Sequence, residues 1–96
     1  MPRYLIERIF IDPDVDEEKL SEVGQRASRL IGEQFPDIVW EHSHVVSDDD
    51  GRIKSFCVYS APDPQRLQDH ADEVGFHRIG MIYQIGGDVS PSDFPD

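Results

Sequence analysis

The side chains best suited to chemistry lie in residues 39–62. This stretch holds two histidines, His42 and His44, and the only cysteine of the chain, Cys57. Two runs rich in β-forming residues flank the acidic segment 47–52, which contains a glycine, and this pattern predicts a β-hairpin. Imidazole and thiolate groups both bind transition-metal ions such as nickel, copper and zinc. The hairpin therefore carries the residues best suited to form a metal site.

The two histidines are predicted to share one face of the sheet. His42 and His44 are two residues apart, so on a strand they point the same way, together with Trp40. Their Cβ atoms would be roughly 6.5 to 7 Å apart, a distance that two imidazoles can span around one cation. The spacing is compatible with a metal site at His42 and His44, but on the sequence alone the pattern favours solvent-exposed strand histidines.

The predicted pairing of the two strands would add Cys57 and Tyr59 to this site. A two-residue turn at 50–51 sets His44 opposite Cys57 and His42 opposite Tyr59. A shift of one residue would place the histidines on the other face from Cys57, so the register decides what the site contains.

Other polar candidates lie outside the hairpin. Each face of the first predicted strand carries one charge, Glu7 and Arg8. We expect these charges to lie near a rim or to pair with neighbouring charges, although Glu7 could instead line a site. His70 lies between Leu67 and Val74 on the apolar stripe of a predicted helix. It is either a packed, hydrogen-bonded histidine or a side chain leaning over the sheet edge.

The chain reads as β-α-β-β-α-β. Residues 3–11 are apolar on both faces, which is typical of a central strand. The segment 12–14 ends this strand, and Asp14 is predicted to cap the first helix. Asp63 and Pro64 begin the second helix. The last strand runs from about residue 78 to 85.

This order predicts an α+β fold in which a four-stranded antiparallel sheet has both helices on one face. The other sheet face still carries apolar side chains, so we expect a homodimer that packs sheet against sheet. Residues 1–86 form the predicted domain. Residues 87–96, rich in glycine, proline and aspartate, form an extended or disordered tail.

Composition narrows the classes of partner. The chain of 96 residues has a net charge of −11, which argues against nucleic acid and anionic membranes because both would repel it. One cysteine cannot form an internal disulfide, which fits a reducing cytoplasm. The N-terminal segment has charges inside its apolar run and lacks a signal-peptide core. We therefore predict a cytoplasmic protein.

Four segments together resemble one known family. They are Pro2-Arg-Tyr-Leu-Ile-Glu-Arg, Trp40-Glu-His-Ser-His, Phe56-Cys-Val-Tyr-Ser-Ala-Pro and His70-Ala-Asp-Glu-Val-Gly-Phe. They are similar, in the same order, to a family of small bacterial proteins described as a domain of unknown function. That family includes a nickel-binding, nickel-responsive member.

The resemblance implies a ferredoxin-like fold, a homodimer and nickel ions held at the dimer surface. It also implies that the recurrent polar positions of the family fall on five residues of this chain: Glu7, His42, Cys57, Tyr59 and His70. We take His42 as a metal ligand and the other four as candidate cofactor-binding residues. His44 departs from the pattern, because the family usually has tyrosine there.

The first functional hypothesis is therefore a non-enzymatic, dimeric nickel-binding protein with His42 and His44 as ligands. The alternative is a cofactor-free enzyme or small-molecule binder that uses a cavity on the open sheet face, with Glu7, His42 and Tyr59 inside. A cysteine enzyme would need a nucleophile and a base, which Cys57 and His44 could supply, but nothing in the sequence identifies an oxyanion hole. A plain protein-interaction module is a further alternative, for which the sequence contains no positive signature.

Overall fold

A computed structural model describes residues 1–12 and 14–95. Pro13, predicted to end the first strand, and Asp96, the last residue of the predicted tail, lie outside the described residues. The elements are β1 (Arg3–Phe10), α1 (Glu17–Gln34), β2 (Val39–Ser47), β3 (Ile53–Ser60), α2 (Pro64–Val74), β4 (His77–Gln84) and a short 3₁₀ helix (Pro91–Asp93).

The four strands form one antiparallel sheet in the order β2-β3-β1-β4. Strands β1 and β3 are central, and β2 and β4 are the edges. This is the ferredoxin-like topology, and the predicted element order and sheet are confirmed. The central position of β1 fits its apolar residues on both faces.

Both helices pack on one face of the sheet, which we call the helix face. Alternate residues of β1, among them Tyr4 and Ile6, are buried there against Val23 of α1 and Leu67 of α2. The opposite face, which carries Leu5, Glu7 and Ile9 of β1, is not covered by any helix of the described residues; we call it the open face. The core is therefore a single layer between the sheet and the two helices.

The helix starts are set by aspartate side chains. Asp63 accepts a hydrogen bond from the backbone of Arg66, and Pro64 occupies the first turn of α2, as predicted. The prediction for α1 was wrong by two residues: Asp16, not Asp14, accepts from the Lys19 backbone. Asp14 has the spacing of a capping box, with Glu17 three positions later, whereas Asp16 caps the helix without it because Lys19 lies three positions after it.

Beyond β4, residues 86–95 are exposed. Ile85 still hydrogen-bonds to the Arg3 backbone, and Asp88 pairs with the Arg3 side chain at 2.9 Å. The 3₁₀ turn at Pro91–Asp93 has no buried residue. The division into a domain of residues 1–86 and a tail of residues 87–96 stays a prediction. No helix in residues 1–12 and 14–95 is long and apolar enough to cross a membrane.

Candidate functional site

His42 and His44 lie next to each other on the open face. Both side chains are exposed, and they belong to the edge strand β2. Their ring centroids are 5.3 Å apart and the rings are nearly perpendicular, at 80°. Two imidazoles in this arrangement can donate nitrogen ligands to one ion from the solvent side.

The predicted register of the hairpin was wrong by one residue. His44 lies opposite Phe56 and His42 opposite Val58, while Ser43 faces Cys57. A one-residue change of register moves every side chain to the other face. Cys57 is therefore on the helix face, on the other side of the sheet from both histidines.

The turn explains the error. The strands are joined by a three-residue loop, residues 49–51, because Asp48 donates its backbone N–H to the Arg52 carbonyl at 2.9 Å. Gly51 has φ +77°, as expected for a type I turn closed by a left-handed residue. The Asp48 carboxylate also accepts two backbone N–H groups, from Asp50 in the loop and from Arg52 just after it.

A bulge at Glu41 separates Trp40 from the histidines. The register of β2 shifts between Trp40 and His42, so these two residues face opposite sides despite their even spacing. Trp40 stacks on Tyr59 on the helix face, with centroids 6.0 Å apart and ring planes within 5°. The prediction that Trp40 shares the histidine face was wrong for this reason.

The carboxylate of Glu41 is already engaged on the open face. It accepts from the Arg3 guanidinium at 2.8 and 3.2 Å and from the Ser60 hydroxyl at 3.5 Å. The hydrogen bonds from Arg3 hold the pKa of Glu41 below its usual range. Among residues 1–12 and 14–95, no group of three or more histidine, cysteine or acidic side chains surrounds one point. A single chain thus offers the histidine pair alone.

Glu7 lies on the open face, on central strand β1. Its carboxylate pairs with Lys54 at 3.2 Å, which agrees with the expectation that it pairs with a neighbouring charge. It also lies directly over Gly80, where an added Cβ would collide with the carboxyl group. Gly80 therefore provides the space that lets Glu7 lie flat on the sheet.

Cys57 and Tyr59 are buried on the helix face. Burial raises the pKa of Tyr59 to about 12, so its phenol stays neutral. Glu7 and His42 are on the open face, so the structure does not bring them together with Tyr59 in one cavity of the chain. The sheet therefore separates the candidate residues, with Glu7 and His42 on one side and Cys57 and Tyr59 on the other.

His70 is a packed histidine on α2. It is fully buried, and its Nε2 donates to the Ala27 carbonyl at 3.0 Å. Its ring contacts Phe35 edge to face. Burial lowers the pKa of His70, which therefore stays neutral. This geometry agrees with the packed, hydrogen-bonded interpretation.

Sequence reasoning missed a buried polar pair, Arg8 and His77. Arg8 is 3% exposed and donates from Nη1 to Nε2 of His77 at 2.9 Å. The expectation that Arg8 lies near a rim or pairs with a neighbouring charge was wrong, and His77 was not singled out. The available signal was the parity of Arg8, which matches that of Ile6 and Phe10 and therefore directs a permanent charge into the core.

These observations define a small ferredoxin-like domain with an exposed histidine pair on its open sheet face. The chain belongs to the SCO4226-like family of nickel responsive proteins, whose model matches residues 4–84. Its fold is similar to that of SCO4226 from Streptomyces coelicolor A3(2), known from a crystal structure. The TM-score is 0.66 at 12% sequence identity, over 90% of this chain and 99% of that one. No match was found among the curated proteins.

Proposed function

We propose that this protein is a cytoplasmic, homodimeric nickel-binding protein without enzymatic activity, and that His42 and His44 are its metal ligands. The observation that carries the proposal is the 5.3 Å separation of the two exposed rings. A nitrogen ligand lies about 2 Å from a bound ion, so two imidazoles on one ion have centroids roughly 5 Å apart. The rings of His42 and His44 therefore need little rearrangement to bind one metal ion.

The choice of metal rests on chemistry and on the family. Imidazole suits nickel, copper and zinc, and membership of the nickel responsive family favours the first of these. The acidic chain, with its net charge of −11, also concentrates divalent cations near its surface. Water or groups from a second copy would complete the coordination shell.

The homodimer is proposed because the open face carries more apolar side chains than an ordinary solvent-exposed surface does. Leu5, Ile9 and Phe56 lie on it half-buried, and Tyr83 on β4 is 52% exposed. Val58 is buried at its centre. A second copy packed on this face would remove these side chains from water.

Titration of the protein with nickel chloride by isothermal calorimetry tests the ligand assignment. We expect saturable uptake by the native chain and loss of that uptake in the His42→Ala/His44→Ala variant, because the pair supplies both protein ligands. Ser47→Ala, an exposed change on the same strand, is the matched control and should bind like the native chain. Unchanged uptake in the double variant would rule out this site.

A further inference from the structure

A cavity of about 190 Å³ lies between α1 and the helix face of the sheet. Val23 and Ala27 of α1 form one wall, and Cys57 and Tyr59 of β3 form the opposite wall. The cavity reaches the surface beside edge strand β2, where Val45 is 56% exposed. It is separated from the histidine pair by the thickness of the sheet.

Arg8 places a permanent positive charge at this cavity. Its side chain is part of the lining, and Nη1 is the one nitrogen that has a partner, His77. Nε and Nη2 are buried without a hydrogen-bond partner, and no carboxylate pairs with Arg8 in the part of the chain that the structure describes. A guanidinium cannot lose its proton in a protein, so the charge remains.

The neighbouring side chains do not neutralise this charge. His77 accepts from Arg8 through Nε2, so that nitrogen is unprotonated and the ring is neutral. The Tyr59 ring lies 5.1 Å below the guanidinium carbon, which gives a favourable cation–π contact but supplies no negative charge. An isolated buried charge is costly unless it is paired, which points to an anionic partner from outside the chain.

The walls indicate which kind of anion fits. A guanidinium presents parallel N–H groups that match a carboxylate. The remaining lining is mostly apolar and includes Phe10 and Trp40, which suits an organic body better than a fully hydrated phosphate. An apolar cavity of about 150 Å³ is large enough for benzene, so this one suits a body of similar size with a carboxylate attached.

We propose that this cavity binds a small organic carboxylate of about the size of benzoate, with Arg8 as its anchor. Nε and Nη2 are shielded from solvent, so binding through them requires the guanidinium to turn towards the incoming oxygens. Ser43 is a second donor, because its hydroxyl oxygen accepts from Trp40 Nε1 at 2.9 Å and its own hydrogen is free to point at the ligand. The cavity lining includes neither of the proposed nickel ligands, His42 and His44.

Fluorescence and calorimetry can test this on the native protein. Trp40 is the only tryptophan and lines the cavity, so its emission should change as sodium benzoate binds saturably. Benzamide has the same shape without the charge and should bind at least about tenfold more weakly. Benzamide binding as tightly as benzoate, or inorganic phosphate displacing benzoate at similar concentration, would overturn the proposal.

Two variants locate the site. Arg8→Met should weaken benzoate binding at least about tenfold, because it removes the charge and both free donors. Arg78→Met, at an exposed arginine on β4, is the matched control and should bind normally. Benzoate affinity unchanged by Arg8→Met would refute the anchor.

Gly24→Leu covers the case in which Arg8→Met does not fold. Gly24 lies on α1 and lines the cavity, and a Cβ there meets only Trp40, at 3.9 Å. Leucine should therefore fill the cavity while favouring the helix. We expect benzoate binding to be lost in a variant that melts no lower than the native protein. Retained binding would show that benzoate sits elsewhere.

Discussion

The hydrogen bond between Arg8 and His77 has a direct consequence for stability. Arginine can only donate, so His77 can accept through Nε2 only while that nitrogen is unprotonated. Burial, and secondarily the charge of Arg8, lower the pKa of His77 to about 4. The unfolded chain therefore takes up a proton at His77 at a higher pH than the folded chain does.

This difference predicts a pH-dependent unfolding free energy. An unfolded histidine has a pKa of about 6.5, so the contribution of neutral His77 is complete above that pH and is lost as the pH falls towards 4. The loss should reach about 3 kcal/mol, at up to about 1.4 kcal/mol per pH unit. Urea denaturation of the native chain and His77→Gln at pH 7, 6 and 5 measures it.

His77→Gln keeps a neutral hydrogen-bond acceptor for Arg8 and does not titrate. Its unfolding free energy should therefore change less between pH 7 and pH 5 than that of the native chain. Equal pH dependence in the two proteins would contradict the role given to His77.

At the scale of single residues, sequence predicted type and parity but not neighbours. The parity of Arg8 put it on the same side of β1 as Ile6 and Phe10, but only the packed fold revealed that this side is the core and that His77 is its partner, 69 positions later. His70 was open to two interpretations because an apolar helical stripe does not specify which carbonyl lies above it. Long-range contacts of this kind need the tertiary structure.

At the scale of elements, the hairpin loop sets which groups meet. Gly51 adopts φ +77°, a left-handed conformation that costs a residue with a Cβ about 1 to 2 kcal/mol. Gly51→Ala should lower the unfolding free energy by that amount. Urea denaturation monitored by circular dichroism measures the change.

Gly32 provides the matched comparison. It lies in α1 with nothing within 4 Å of an added Cβ, so Gly32→Ala should raise the unfolding free energy by roughly 0.5 to 1 kcal/mol through helix propensity. The two Gly→Ala changes should therefore have opposite signs. A stabilising Gly51→Ala would disprove the loop conformation.

Element order, helix stripes and the second helix cap followed from the sequence because each is a local pattern of several residues. Register did not, since a two-residue turn and a three-residue loop are both compatible with Asp48-Asp-Asp-Gly-Arg. The bulge at Glu41 was also invisible, because no glycine or proline marks it. These two local irregularities, each one residue in size, decided which side of the sheet Cys57 and Trp40 occupy.

At the scale of the whole molecule, the open face determines assembly. Leu5 lies on central strand β1, between Val58 and Tyr83. If two copies pack through this face, light scattering after size exclusion should give twice the monomer mass of 11.0 kDa for the native chain. Leu5→Glu should give the monomer, because the contact would bury an unpaired charge.

Ile11→Glu is the control for that experiment. Ile11 is 70% exposed just beyond the end of β1, so a charge there should leave the mass of the native assembly unchanged. A native chain that is monomeric at micromolar concentration would exclude the homodimer.

Strand β2 belongs to both proposed sites, with the imidazoles on one side and the mouth of the cavity on the other. As an edge strand it is hydrogen-bonded to a neighbour along one flank only, which leaves it freer to bend than β1 or β3. An ion bridging His42 and His44 would restrain that bending. Exchange of small molecules past the rim formed by this strand would then be slower in the metal-loaded protein than in the metal-free one.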